Sequence, residues 1–274
     1  MPAHNAIAAD KLVRLVGTPA APLIIDLREE AREVIPGSIP RRADDVLAWQ
    51  DEAVQPLLVV DADGKGGAVS AAAILRSCGR TAEILDGGFT GWQASGGPIV
   101  SLDHLPPRHE DGRTWWVTRA RPKVDRIACP WLIRRFVDPL ARFLFVAPSE
   151  VLGVAVAQQA EPFDVSDDRV FWSHRGDRCT FDIMVETFGL GGHEPLTRLA
   201  AIVRGADTGQ LDIVPEAAGL LAISLGLSRI HADDHVQLEA GMLVYDALYR
   251  WCRDGQGEVH NWSSHQPVRT KAAS

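Results

Sequence analysis

Two short apolar runs, Leu23-Ile24-Ile25 before Asp26 and Leu57-Leu58-Val59-Val60 before Asp61, most narrow what this chain can fold into. A strand that is apolar at every position is covered on both faces. That environment belongs to a parallel sheet with helices on either side. A third strand is read at Ala82-Glu83-Ile84-Leu85, and residues 8–16, 43–49 and 69–77 read as helices between and after the strands. Strand and helix alternate, so the first hundred residues are expected to form an α/β unit.

The pieces Ile24-Ile25-Asp26-Leu27-Arg28-Glu29 and Ile35-Pro36-Gly37-Ser38-Ile39-Pro40, the strand ending at Asp61, and Gly87-Gly88 followed by Trp92 stand in a telling order. Together they resemble a rhodanese domain. That resemblance implies a parallel sheet flanked by helices, and a loop after the central strand whose cysteine takes up sulfur as a persulfide. Here the loop reads Ala62-Asp63-Gly64-Lys65-Gly66-Gly67-Ala68, and anchoring on Leu75 and Gly79 puts Ala62 at the cysteine position. Alanine offers no nucleophile, so sulfur transfer is not expected, and Cys78 reads as a buried apolar residue. A glycine-rich loop closing on a helix N-terminus still suits an oxyanion, unless it is kept only for packing.

Gly96-Gly97-Pro98 ends this unit, and Leu105-Pro106-Pro107-Arg108-His109-Glu110-Asp111-Gly112 is polar and proline-rich. Such stretches mark domain boundaries. The expected division is a rhodanese-like domain over 1–100, a linker over 101–113 and a second domain over 114–274. In the second domain, residues 114–118, 142–146 and 170–172 read as strands. Pro130 suits the first turn of a helix over 131–137, and Ser149 suits the cap of a helix over 150–159. Helices are expected over 194–204, 215–225 and 233–253, with Asp233 or Asp234 as the last cap. The class is α+β, mostly helical.

Residues 116–139 interleave five arginines, a lysine, two aspartates and Cys129 with tryptophan and branched apolar residues. Charges so placed cannot all reach open water, and a half-buried charge needs a partner. One partner is a carboxylate of the protein. The other is an oxyanion, which the planar guanidinium fork fits well. On that second reading Arg126, Arg134, Arg135 and Arg175 line a small anion pocket, and the cations favour a Cys129 thiolate.

Two further groups have the chemistry of metal ligands. His235, Glu239 and Asp246 fall at i, i+4 and i+11 along one face of the last helix, and His231 precedes His235 by four. His174, Cys179 and Asp182 flank one turn. Satisfied structural pairs are the alternative in both cases. Mixed nitrogen, oxygen and sulfur donors would suit zinc or iron rather than magnesium.

The net charge of −8 is shared evenly, with 9 basic and 13 acidic residues in 1–100 and 19 and 23 in the remainder. No basic face is built for nucleic acid. There is no apolar run of about 18 residues for a membrane span, and residues 1–16 do not read as a secretory signal. Four widely spaced cysteines without a CxxC pair are expected to be reduced thiols in the cytoplasm.

From Trp116 to Trp262 the chain resembles the C-terminal domain of the ChrB-type chromate-resistance family. The carrying motifs are Arg121-Pro122-Lys123-Val124-Asp125-Arg126-Ile127-Ala128-Cys129-Pro130-Trp131-Leu132-Ile133-Arg134-Arg135-Phe136 and Ser173-His174-Arg175-Gly176. Cys179-Thr180-Phe181-Asp182, Arg204-Gly205-Ala206-Asp207-Thr208 and Tyr245-Asp246-Ala247-Leu248-Tyr249 complete them. The resemblance implies a role in chromate tolerance, with an oxyanion such as chromate or sulfate as the small-molecule partner. Alternatives are a sulfurtransferase or thiol-dependent chromate reductase, and a chromate-responsive regulator, against which the even charge counts.

Overall fold

The computed structural model describes residues 5–51 and 55–259. Trp262 and the remaining residues expected in the second domain lie outside them. The first half runs β1 (Ala6–Ile7), α1 (Ala9–Leu15), β2 (Leu23–Asp26), β3 (Glu33–Val34), β4 (Ser38–Pro40), β5 (Leu57–Val60), α2 (Gly67–Ser77), β6 (Ala82–Leu85), α3 (Gly88–Ala94) and β7 (Val100–Ser101). The sheet order is β1-β6-β5-β2-β4, every pair parallel, with β3 and β7 forming a separate antiparallel pair. This is the parallel α/β architecture expected from the apolar runs, and the one that the resemblance to a rhodanese domain implied. The helical stretch expected at 43–49 is a 3₁₀ helix over Ala43–Asp51.

Both faces of β2 and β5 are buried, and successive side chains serve different cores. Leu23, Ile25, Leu57 and Val59 join Ala68, Ala71, Ala72 and Leu75 of α2. Ile24, Leu58 and Val60 point the other way, into a larger apolar cluster that includes Trp131, Phe136 and Phe181 of the second half. The period of two in a strand thus splits one sheet between a private core and a shared one. Cys78 is exposed, contrary to the sequence reading, because α2 ends at Ser77 and leaves it at the helix cap.

The second half contains β8 (Trp115–Arg119), α4 (Asp125–Leu132), β9 (Arg142–Val146), α5 (Val151–Gln158), β10 (Glu161–Pro162), α6 (Thr180–Thr187), α7 (Glu194–Asp207), α8 (Glu216–Ile230) and α9 (Asp234–Arg250). Its small parallel sheet is ordered β10-β8-β9, and helices make up most of the rest. Asp233 caps α9, accepting from the His235 and Val236 amides at 2.9 Å.

Three local expectations need correction. The helix expected at 131 begins at Asp125, so Pro130 lies inside α4, which widens into a π-helical turn over Ile133–Val137. Ser149 does not cap α5, whose first turn follows a 3₁₀ turn at Pro148–Glu150. The strand expected at 170–172 is reduced to one bridge, between Phe163 and Trp172.

Residues of the stretch between the halves are anchored. Ser101 donates its amide to the Phe188 carbonyl at 3.0 Å, and Arg108 pairs with buried Asp138 at 3.0 Å. Gly37 donates to the Phe136 carbonyl at 2.6 Å.

Candidate metal centre

Four chain segments converge on His174. Asp125 opens α4, Asp164 follows β10, His174 sits in the turn before α6, and Asp207 ends α7. His174 Nε2 lies 3.2 Å from Asp207 Oδ2, 3.3 Å from Asp164 Oδ1 and 3.5 Å from Asp125 Oδ2. The ligand atoms of Asp125, His174 and Asp207 are all within 4.8 Å of one another, a set unique among the described residues. Asp125 is buried, whereas the His174 side chain is 40% exposed, so the cluster opens to solvent on the imidazole side.

The backbone fixes Asp125 from both directions. Val124 takes φ +37°, costly for a β-branched residue, and is held there by two bonds. Its amide donates to Ser224 Oγ at 2.9 Å and its carbonyl accepts from Tyr245 Oη at 2.8 Å. Asp125 then accepts from the Thr180 and Phe181 amides, at 2.8 and 3.1 Å. Those are unsatisfied donors at the head of α6, where a negative charge is favoured.

Burial nonetheless pushes the Asp125 carboxyl up to about 6, with nearby Asp207 and Asp164 adding to it and His174 opposing. The carboxylates, Asp125 first, push the His174 imidazole up to about 12. Asp164 behaves differently. Burial raises it, but His174, Arg119 and Arg126 outweigh burial and hold it below the usual carboxylate range. Arg119 Nη2 and Arg126 Nε both reach Asp164 Oδ2, at 3.0 and 3.3 Å.

This arrangement sets a pH dependence. Below its ordinary 6.5, His174 is charged in both folded and unfolded chains, and its stabilisation is complete. From there to about 12 only the folded state keeps the proton, so the stabilisation declines as pH rises. In metal-free protein, the stability gap between wild type and His174→Ala, measured by urea unfolding, should be widest near pH 6 and shrink toward about pH 10. A gap constant over that range would contradict the ion cluster.

Other residues singled out in the sequence lie elsewhere. Arg135 makes a bidentate pair with Asp246, both bonds 2.8 Å, and Asp246 also accepts from Trp131 Nε1 at 2.9 Å. Arg134 pairs with Glu239. The π-helical turn after α4 and helix α9 therefore neutralise one another, and Arg134, Arg135, Glu239 and Asp246 are spent across that contact. His235 packs edge-on against Phe145, and His231 precedes α9, so the two do not share a helix face. Arg175 donates to the Phe171 carbonyl and covers its ring.

The thiols correct a second expectation. Cys129 is fully buried and its Sγ is 3.7 Å from Asp125 Oδ1. Burial first, then Asp125, pushes this thiol well up, the reverse of the thiolate expected beside arginines. Burial raises Cys179 in the same way; its Sγ faces Asp182 Oδ2 at 3.4 Å, and Arg204 engages the other oxygen at 3.0 Å.

In the first half, Ala62 heads the loop as expected. The Asp61 carboxylate accepts from the amides of Gly64 at 2.6 Å and Ala68 at 2.9 Å, while exposed Lys65 faces Asp63. The amides of Gly64, Lys65 and Ala68 are thus already occupied by carboxylates of the protein. Asp63, Gly66 and Gly67 complete the turn into α2.

Sequence reasoning passed over Asp125, Asp164 and Asp207. Asp125 and Asp207 lie inside two of the quoted motifs, beside the arginines that drew attention, whereas Asp164 lies in none.

Known proteins match both halves. The family model for the ChrB C-terminal domain matches residues 116–252, and that for the rhodanese-like domain matches residues 8–95. Protein ChrB of Cupriavidus metallidurans is 37% identical over 159 residues, 56% of this chain and 45% of that protein. The chain thus spans less than half the length of that curated relative. Among solved structures, a rhodanese-related protein from Thermoplasma volcanium is 22% identical, covering 35% of this chain and 98% of its own, with TM-score 0.32. A rhodanese-like domain from Anabaena is 24% identical, over 39% of this chain and 89% of its own, with TM-score 0.33.

Proposed function

This chain belongs to the family of ChrB C-terminal domains, and on that footing we propose that it is a cytoplasmic chromate-resistance protein holding a divalent cation at Asp125, His174 and Asp207. The observation that carries this reading is the meeting of those three ligand atoms within 4.8 Å, at a cluster open on one side. The sign of the charge favours a cation. A bare dianion such as chromate entering between Asp125 and Asp207 would meet like charge in a partly desolvated place. One imidazole and two carboxylates suit zinc or iron(II), and the high thiols of Cys129 and Cys179 leave sulfur out of the donor set. Only a neutral imidazole ligates metal, so binding displaces the His174 proton and strengthens as pH rises. The cytoplasmic part of the proposal rests on the four unpaired cysteines. Its rhodanese-like half has Ala62 where sulfur transfer needs a thiol, so it serves as a packing partner and not as a second catalyst.

Isothermal titration of the full chain with zinc tests the site. Wild type should bind one ion, and His174→Ala or Asp207→Asn should weaken it by about a hundredfold or more, since even outer-shell changes cost about 10–100-fold. Equal affinity in all three proteins, with unfolding midpoints showing each is folded, would reject the site.

A further inference from the structure

We infer that the cation proposed above is half of a site whose other half, Arg119 and Arg126, captures a tetrahedral oxyanion only once the cation is in place. This deepens the preceding reading and rests on it. Both guanidinium groups converge on one oxygen, Asp164 Oδ2, at 3.0 and 3.3 Å. The other oxygen of that carboxylate faces His174 Nε2 at 3.3 Å and accepts from Thr180 Oγ1, also at 3.3 Å. Asp164 therefore spans the arginines and the metal-ligating imidazole, the span an oxyanion would take between arginines and a metal.

One carboxylate does not saturate the basic side. Arg119 Nε is buried without a hydrogen-bond partner among the described residues. With a divalent ion bound, two guanidinium groups and that ion face the carboxylates of Asp125, Asp164 and Asp207, leaving one positive charge in excess. Without the ion the excess is absent and the carboxylates repel an anion. A tetrahedral dianion can offer one oxygen to the ion and two to the guanidinium forks, which is recognition by charge and geometry together. The rim permits entry, since the side chains of His174 and Arg119 are 40% and 34% exposed.

Equilibrium dialysis of labelled sulfate against the full chain, with and without saturating zinc, tests this. Zinc should raise sulfate affinity at least about tenfold. Arg119→Gln should reverse about tenfold of that gain, the usual worth of a charge-assisted bond, while zinc affinity holds or tightens. Arg126→Gln should act likewise; because Arg126 also holds the carbonyls of Arg119 and Ala120, the Arg119 variant keeps the test secure if the other fails to fold. Sulfate retention indifferent to zinc, or to Arg119, overturns the inference and leaves the cation site standing. Absence of zinc binding overturns both.

Discussion

Asp138→Ala is expected to cost about 3–5 kcal/mol of unfolding free energy, the range for removing one member of a buried ion pair. Asp138 has no exposed surface and binds four donors. Its Oδ2 accepts from the Thr114 amide at 2.8 Å and the Thr114 hydroxyl at 2.7 Å, and meets Arg108 Nη1 at 3.0 Å. Its Oδ1 accepts from the Leu140 amide at 3.2 Å. One carboxylate thus ties the segment entering β8 to the chain leaving the π-helical turn. Removing it strands the half-buried Arg108 charge, whose Nη2 has no hydrogen-bond partner among the described residues. Chemical denaturation checks the magnitude. A loss below about 1 kcal/mol, the size of an ordinary surface change, would mean the network is not the fastening described.

The second large effect is expected at Asp125→Ala, in two measurements that move by different amounts. Stability should fall by only about 1–3 kcal/mol. Two amides at the head of α6 lose their acceptor, but a carboxylate that burial already disfavours is removed as well. Zinc affinity should fall by at least about a hundredfold, because a ligand is lost outright. If zinc affinity were unchanged while stability fell, Asp125 would be a helix cap and nothing more.

Much of the first domain was legible because its signal is local. Strands β2 and β5 are built on continuous apolar runs, and continuous runs have few places to go except a sheet covered on both sides. The start of α4 was misplaced for an equally local reason. Proline commonly opens a helix, so Pro130 drew the boundary to itself. Buried Ile127, Ala128 and Cys129 instead extend the helix back to Asp125, which the α6 amides fix in place.

The site was half legible. His174 was marked as a metal ligand and Arg126 as an anion ligand, on separate grounds, and they meet through Asp164, which no motif announced. Spacing along α9 placed His235, Glu239 and Asp246 on one face, and spacing cannot say what that face meets. It meets Arg134 and Arg135, so a ligand-like stripe became a set of ion pairs. Sequence periodicity reports which residues share a face. Which charges cancel depends on contacts between residues far apart in the chain, such as His174 with Asp125 and Asp207.

The most direct test of the account is an anomalous-difference map from crystals of the full chain grown with zinc and measured at the zinc edge. The expected result is a single strong peak with Asp125, His174 and Asp207 within about 2.0–2.2 Å, the range for zinc with nitrogen and oxygen donors. Zinc located only at surface histidines, with His174 still paired to its three carboxylates, would contradict the central claim.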